Sequence, residues 1–231
     1  MKKILFYTIF KTRWGWFGLC GTQGSLVRTC LPEKNKEKAT RALLSGLDKP
    51  QNDPRFFKSL QDDIKLYYEG SYVDFRSVPV CLDGFTTFQK SALLKLKNIT
   101  YGNIITYKDL AKMASRPKAS RAIGMAMAKN PLPLIIPCHR VVRTDGALGG
   151  FSASGGILTK QKMIDLEKMQ KTDQQLNLQF RILTNSPQSL KIKTHLLVNE
   201  KDSVTKINHQ PIGKGVYPLQ QNDVVEMKFT L

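Results

Sequence analysis

The sequence has few acidic residues and no long apolar run. It holds 18 Asp and Glu against 36 Lys and Arg, which gives a net charge of +18. A membrane-spanning helix needs about 20 consecutive apolar residues, and the apolar start Ile4–Phe10 is interrupted by Lys11 and Arg13. We therefore expect neither a membrane partner nor a signal peptide.

Cysteine and histidine are also scarce. Four cysteines at irregular spacing contain no CxxC pair, which favours a reducing compartment over a disulfide framework. We expect an intracellular protein, cytoplasmic if prokaryotic and nuclear if eukaryotic. All three histidines follow residue 130, so a tetrahedral zinc site built on Cys20, Cys30 and Cys81 would lack a fourth ligand. We expect no metal and no cofactor.

The positive charge is unevenly distributed along the chain. Lys and Arg minus Asp and Glu is 14 − 9 = +5 for residues 1–85, 15 − 5 = +10 for residues 86–173 and 7 − 4 = +3 for residues 174–231. Such an excess favours a polyanionic partner through phosphate neutralisation, although it is also compatible with a merely soluble basic surface.

The first 83 residues predict a small α+β scaffold domain. Apolar runs at 4–10, 16–20 and 25–31 are typical of strands, and Pro32 is expected to open a charged helix that Gly46 ends. Aromatic residues then recur at helical spacing over 56–68. That spacing favours a core stripe over a base-stacking platform. Short extended pieces near 73–75 and 78–80 complete the unit.

Residues 84–173 predict a helical domain with a helix-turn-helix. Capping-box patterns open helices at Thr86 and Thr106, and a turn at 115–117 leads into a helix over 118–129. The surface of this last helix is nearly bare. Tight helix packing would explain that equally well, but the surrounding charge and the projecting Arg121 favour a DNA groove.

The stretch Pro137-Cys138-His139-Arg140-Val141 carries the chemistry. A thiol beside an imidazole and a guanidinium is expected to favour its ionised, nucleophilic form, although most free cysteines are simply buried apolar residues. Glu167 follows Ile164 and Met163 on a predicted helix, beside an apolar face. A carboxylate there needs a partner, and His139 is the candidate.

From about Gly84 to Glu167 the sequence resembles the O6-alkylguanine-DNA alkyltransferases, also called methylated-DNA–protein-cysteine methyltransferases, and the stretch around Cys138 resembles their active-site motif. The resemblance implies a ribonuclease-H-like N-terminal domain (1–83) and a winged helix-turn-helix catalytic domain (84–173). It also implies irreversible, stoichiometric transfer of the alkyl group from O6-alkylguanine in double-stranded DNA to Cys138, after base flipping, with O4-alkylthymine as a further candidate substrate. We expect a monomer.

The resemblance also assigns roles to individual residues. In the reaction, His139 would deprotonate Cys138 through a water molecule, because adjacent residues of an extended segment point apart. Glu167 would orient His139, Tyr107 would donate to the leaving guanine and Asn130 would tie the helix-turn-helix to the active-site strand. Arg121 would fill the space of the extruded base. The implied pocket residues are Pro133, Phe151, Ser152 and Met127, and the implied DNA contacts are Arg121, Ala119, Ala122, Gly124 and Arg140.

Two departures concern the pocket. Phe151 stands where a tyrosine is frequent in that family, and the loop Ser152–Gly156 is longer than its usual Ser-Gly-Gly. Both bear on the preferred alkyl group. Three rivals remain open: a non-catalytic lesion binder, which would lack the cysteine, a helix-turn-helix transcription factor in which cysteine methylation signals, and a cysteine hydrolase.

Residues 174–231 form a third segment. Alternating stretches at 176–183, 190–198 and 224–230 predict a β-rich appendage of unknown role. Residues 207–212 and 218–224 are faintly similar to the last third of forkhead-associated phosphopeptide-binding domains, but the segment is too short for a whole domain of that kind, which favours a plain β appendage.

Overall fold

A computed structural model of the chain describes residues 4–173 and six short strands beyond them, at 178–181, 188–190, 205–207, 210–212, 217–219 and 224–227. The chain divides into two compact units, Met1–Glu167 and Lys168–Leu231. The expected boundary near residue 83 therefore falls inside the first unit, which contains every residue of the site described below.

The first unit begins with a four-stranded sheet in the order β3-β2-β1-β4. Three antiparallel strands are followed by a helix and by a short strand that pairs in parallel with β1. The elements are β1 (Phe6–Thr12), β2 (Gly15–Thr22), β3 (Ser25–Glu33), α1 (Lys36–Leu44) and β4 (Gln51–Asn52). The first three strands agree with the sequence prediction, whereas β4 has no counterpart in it.

Pro32 does not open a helix, so that prediction is wrong. It lies in β3, beside a break in the register with β2 between Trp16 and Gly18, where a residue without an N–H is tolerated. The helix starts later because Asn35 caps it: its side chain accepts a hydrogen bond from the Lys38 N–H at 2.9 Å. A side-chain cap of this kind typically contributes about 1 kcal/mol to helix stability.

Helix α2 (Lys58–Glu69) carries the part of the predicted stripe from Leu60 to Tyr68, which is buried in the core as expected, while Phe56 and the partly buried Phe57 precede the helix. Its buried residues are Leu60, Gln61, Ile64, Tyr67 and Tyr68. The short extended pieces expected after it are not strands in the structure. A single bridge joins Val80 to Leu26.

Four further helices follow: α3 (Thr87–Lys97), α4 (Tyr107–Met113), α5 (Ser120–Ala128) and α6 (Gly156–Asp173). Both predicted helix starts are present. Thr86 and Gln89 form a complete capping box, and the Thr106 side chain accepts from the Asp109 N–H while donating to the Asp109 carboxylate. Leu110, Ile123 and Ala126 from α4 and α5 belong to the central core.

The segment that contains Cys138 is not a strand, so the sequence interpretation needs correction. Leu134 takes a left-handed backbone conformation (φ 76°) although it is buried, and Cys138–Arg140 form one turn of 3-10 helix. Only β6 (Val141–Val142) is extended, and it pairs in parallel with β5 (Ile105–Thr106). The chain therefore bends at the site, with backbone strain of a kind that often marks function.

The second unit contains strands β7 (Leu178–Arg181), β8 (Gln188–Leu190), β9 (Thr205–Ile207), β10 (Gln210–Ile212), β11 (Tyr217–Leu219) and β12 (Val224–Met227). They form one sheet in the order β10-β9-β12-β7 and a separate pair β11-β8. Strands β7 and β12 lie within two predicted stretches, while most of the third stretch, at 190–198, lies outside the described residues. Among described residues, no helix is long and apolar enough to cross a membrane.

Candidate active site

Cys138 sits at the start of the 3-10 turn and is 7% exposed. Two interactions of one asparagine shape the chain before it. The Asn130 side chain donates to the Ile136 carbonyl at 2.8 Å and accepts from the Leu132 N–H at 3.1 Å. Asn130 thus ties the end of α5 to the turn, as expected, although to an irregular segment and not to a strand.

The N-terminal sheet also holds this segment. In β3, the Thr29 N–H donates to the Pro131 carbonyl at 2.9 Å and the Thr29 hydroxyl donates to the Pro133 carbonyl at 2.7 Å. Because these are contacts between residues about a hundred positions apart, no local sequence pattern could have indicated them. The scaffold therefore positions the backbone next to the thiol.

A cavity of about 300 Å³ opens at Cys138. Every residue that the sequence assigned to the pocket lines it, namely Met127, Pro133, Phe151 and Ser152, together with Asn130. Strand β3 forms another wall, with Arg28, Thr29, Cys30, Leu31 and Glu33, and this contribution was not predicted. The volume lies at the lower end of the range for small-molecule sites, enough for a single flat ligand.

Glu167 is the most highly connected side chain of the site. One oxygen, Oε1, lies 2.7 Å from His139 Nε2 and accepts from the Tyr67 hydroxyl at 2.9 Å. The other, Oε2, accepts from the Gly102 N–H at 3.1 Å. The predicted pairing of Glu167 with His139 is confirmed, while Tyr67 was interpreted only as a core residue.

Arg140 also binds Glu167, so its assignment as a DNA contact is wrong. The side chain is buried, its Nε and one terminal nitrogen each lie 2.9 Å from the carboxylate, and the other terminal nitrogen donates to the Ile99 carbonyl. The planar guanidinium thus directs its N–H donors to acceptors inside the protein, the Glu167 carboxylate and the Ile99 carbonyl. The position of Arg140, two residues after Cys138, did not indicate that its side chain turns inward to Glu167.

The charges of the pair His139 and Glu167 follow from these contacts. Burial raises the pKa of Glu167, but His139 and Arg140 lower it by more, to about 2. Burial lowers the pKa of His139 although Glu167 opposes that change. At neutral pH the carboxylate is therefore ionised and the imidazole neutral, with its proton on Nε2 facing Glu167. His139 Nδ1 has no hydrogen-bond partner among the described residues and keeps its lone pair as a base.

The thiol itself is not ionised by its sequence neighbours, contrary to expectation. Burial raises the pKa of Cys138, while the Asn130 amide, the charge of Lys160 and the N–H groups of Cys138 and His139 lower it. In a 3-10 turn successive side chains are about 120° apart, and those of His139 and Arg140 are directed to Glu167 and not to the thiol. The thiol therefore needs a base at the moment of reaction.

Lys160 is a member of the site that sequence analysis missed. Although fully buried, its ammonium donates to the carbonyls of Val141, at 2.6 Å, and Leu148, and it lies 5.8 Å from the ring centre of Tyr107. Burial lowers the pKa of Lys160, and the negative charge that Cys138 carries as a thiolate opposes this change. An isolated Lys on α6 carried no signal in the sequence.

Tyr107, at the start of α4, is half-buried near this group. Burial raises the pKa of its hydroxyl, and the neighbouring Cys138 raises it further, so the hydroxyl is protonated and can donate. Gly149 (φ 67°) lies against it, and a Cβ there would come within 3.0 Å of the Tyr107 oxygen. The glycine therefore leaves the room that the tyrosine needs.

Helix α5 presents the other predicted residues. Arg121 is exposed, and Ala119, Ala122 and Gly124 are partly exposed. Arg121 makes no ion pair with any residue that the structure describes. The described residues contain no cluster of three His, Cys, Asp or Glu side chains that could hold a metal ion.

Comparison with known proteins bears on this arrangement. Residues 87–169 match the family described as 6-O-methylguanine DNA methyltransferase, DNA binding domain. The methylated-DNA–protein-cysteine methyltransferase of Methanosarcina acetivorans is 34% identical over 163 residues, which cover 71% of this chain and 98% of that protein. The chain belongs to the methylated-DNA–protein-cysteine methyltransferase family.

Other relatives agree with this assignment. The methyltransferase of Methanothermobacter thermautotrophicus is 36% identical over 128 residues, covering 54% of this chain and 70% of that protein. The crystal structure of the Mycobacterium tuberculosis O6-methylguanine methyltransferase is 30% identical, covers 72% of this chain and 94% of that chain, and superposes with a TM-score of 0.59. As in methyltransferases of this family, the fold combines α-helices with a small sheet.

Proposed function

We propose that the protein repairs DNA by direct reversal, moving the alkyl group of O6-alkylguanine to Cys138 in an irreversible, single-turnover reaction. One observation carries the proposal: a buried thiol opens into a cavity that fits a flat ligand, beside a neutral histidine whose second nitrogen is held by an ionised glutamate. This arrangement is that of an activated nucleophile with an oriented base.

The reaction would proceed as an in-line displacement. His139 Nδ1 takes the thiol proton through a water molecule, since the 3-10 turn directs the imidazole towards Glu167. The Cys138 sulfur bonds to the alkyl carbon as the carbon–O6 bond breaks, and the electron pair of that bond stays on guanine. Tyr107 donates a proton to the departing base, and Lys160 and the Cys138 and His139 N–H groups stabilise the thiolate. The products are guanine and a thioether, and no cofactor is needed.

Access to a paired base would require base flipping, since an O6 atom inside a duplex cannot reach a buried thiol. Helix α5 would lie in a groove, with Ala119, Ala122 and Gly124 allowing close approach and Arg121 replacing the extruded base. The charge of residues 86–173 supports this, and a solved structure of the similar M. tuberculosis protein is in complex with DNA.

We further propose a division of labour within the chain. The strand order and the parallel β4 support a ribonuclease-H-like scaffold in residues 1–83. The packed pair α4 and α5 and the short pair β5 and β6 support a winged helix-turn-helix in residues 84–173. Residues 174–231 would be a β-rich appendage, whose role a chain ending near Asp173 would test in assays of repair and DNA affinity.

Incubation with duplex DNA that carries radiolabelled O6-methylguanine tests the function. We expect one label per protein molecule, on the peptide that contains Cys138. Binding without transfer would support a lesion binder, turnover with release of label would support a hydrolase, and label on another cysteine would support a signalling role. A parallel assay with O4-methylthymine tests the second substrate.

The flipping role of Arg121 has its own test. Arg121→Ala should slow repair of duplex DNA far more than reaction with free O6-benzylguanine, because only the duplex requires extrusion. Lys108→Ala, another exposed cation of this half of the chain, is the control. Equal losses on both substrates with Arg121→Ala would remove the arginine from this role.

A further inference from the structure

The exposed face of α5 carries one large apolar side chain. Met125 is 63% exposed, whereas Ile123, Ala126 and Met127 of the same helix are buried. Exposure of a single apolar residue is ordinary on a protein surface. Met125 differs from an ordinary exposed apolar residue in its neighbours on the helix, which are cationic or lack a side chain.

Met125 lies in a row of cations. On an α-helix, residues four apart are neighbours on one face, so Met125 follows Arg121 and precedes Lys129, both exposed. The helix contains no acidic residue. The thioether therefore projects between two positive charges. The charge of this face is complementary to a polyanion, and it would repel a second copy of this basic chain.

The backbone beside Met125 is bare. A Cβ added at Gly124 would meet no atom within 4 Å, so that side of Met125 is open and the helix can approach another surface closely. Arg121 and Met125 are then the only long side chains within Ser120–Met125 that project from this face. Whatever meets the face is contacted by a guanidinium and a thioether about one helical turn apart.

We propose that Met125 is a second insertion residue, which packs its thioether against the base stack beside the nucleotide that Arg121 replaces. Proteins that bend DNA from the minor groove commonly place apolar wedges, methionine among them, at an unstacked base step. The proposal deepens the repair function above and rests on it. The partner is duplex DNA opened at the lesion, and Met125 favours the opened form over the stacked one.

A first experiment compares two substrates. Met125→Ala should lower the rate of repair in duplex DNA, relative to the rate with free O6-benzylguanine, by about tenfold, the size of effect expected when one wedge contact is lost. Met125→Leu keeps an apolar side chain of similar size and should therefore have the same ratio of duplex rate to O6-benzylguanine rate as the unsubstituted protein. Met125→Lys should have the lowered ratio. Leu94→Ala removes another exposed apolar side chain, 46% exposed on α3, and should leave the ratio unchanged.

A second experiment reports stacking directly. In the Cys138→Ala background, which holds the complex without reaction, duplexes carry 2-aminopurine on either side of the lesion. We expect fluorescence of one flanking probe to rise on binding, Met125→Ala to remove most of that rise at saturating protein, and Met125→Leu to keep it. The salt dependence of binding should not change, because methionine contacts no phosphate.

The outcomes separate the inference from the function. If the unsubstituted protein transfers no alkyl group from either substrate, the repair function fails and Met125 fails with it. If transfer occurs but Met125→Ala resembles Leu94→Ala in both experiments, only the insertion role is overturned. If Met125→Lys repaired duplex DNA as well as the unsubstituted protein, the insertion role would also be overturned, because a charge contact would then explain the effect of Met125→Ala.

Discussion

Two cysteines line the same cavity and differ in their electrostatic surroundings. Cys138 is 7% exposed and Cys30 is 6% exposed. Burial and then the nearby Glu33 raise the pKa of Cys30 to about 12. Burial also raises the pKa of Cys138, but an amide, an ammonium and two backbone N–H groups lower it. We therefore expect the reactivity of these two thiols to depend on the charges around each thiol and not on its exposure.

The two thiols also differ in where a proton can go. Cys30 lies 3.2 Å from the Leu31 carbonyl, which can accept a hydrogen bond but cannot remove the proton at neutral pH. Cys138 precedes His139, whose free nitrogen is basic because Glu167 holds the other. We therefore expect burial alone to leave Cys30 inert, and burial combined with a base and a cation to make Cys138 the nucleophile.

The largest expected effect on alkyl transfer comes from replacing each of the two cysteines in turn by alanine. Cys138→Ala should abolish alkyl transfer, since no other group in the cavity is a comparable nucleophile. Cys30→Ala should retain one transferred group per protein molecule. Mass spectrometry of both variants after exposure to O6-benzylguanine measures this. An alkylated Cys30 in the Cys138→Ala variant would contradict the expected difference in reactivity between the two cysteines.

The next largest effect concerns the base. Glu167→Gln should slow transfer by about 100-fold, the usual contribution of an oriented general base, because a neutral amide cannot stabilise the imidazolium. Asp165→Asn, an exposed change on the same helix, is the matched control. In the unsubstituted protein the acid limb of the pH–rate profile should lie below the range of an ordinary histidine, since the pKa of His139 is lowered. A limb above that range would contradict the assignment of a neutral imidazole.

Glu167 should also make stability depend on pH. Its pKa is about 2 in the folded protein and about 4.3 when unfolded. The carboxylate therefore contributes stability above the unfolded value, on the order of 3 kcal/mol, and this is lost as pH falls from about 5 towards 2. Urea unfolding between pH 7 and pH 3 should show a smaller pH dependence for Glu167→Gln than for Asp165→Asn. Equal slopes would contradict the lowered pKa.

The sequence predicted the local parts of this site and missed the distant ones. The caps at Thr86 and Thr106 act over three residues and could be recognised directly, as could the motif around Cys138. Tyr67 of α2 and Arg140 of the 3-10 turn reach Glu167 across 100 and 27 residues of sequence, and no pattern within a short window encodes such contacts. The 3-10 turn was missed because an apolar run indicates burial equally well for a strand and for an irregular segment.

A smaller effect follows from removing the cation near the thiol. Lys160→Met should slow reaction with O6-benzylguanine by about tenfold at neutral pH, since the variant loses a positive charge that lowers the pKa of Cys138. The pH–rate profile should shift to higher pH with little change in its plateau. Lys162→Met, exposed on the same helix, is the control. A lower plateau without a shift would show that Lys160 only supports the fold through the Val141 and Leu148 carbonyls.

The smallest effect tests the inert member of the pair. In the Cys138→Ala background, Glu33→Gln removes the negative charge that raises the pKa of Cys30. Because Glu33 is partly exposed and solvent screens its charge, the pKa of Cys30 should fall only slightly, and reaction of Cys30 with a neutral thiol reagent at pH 9 should about double. Glu37→Gln, an exposed change on α1, should leave the rate unchanged. A tenfold increase with Glu33→Gln would mean that charge, and not burial, keeps Cys30 unreactive, and the two cysteines would then differ in the sign of a single neighbouring charge.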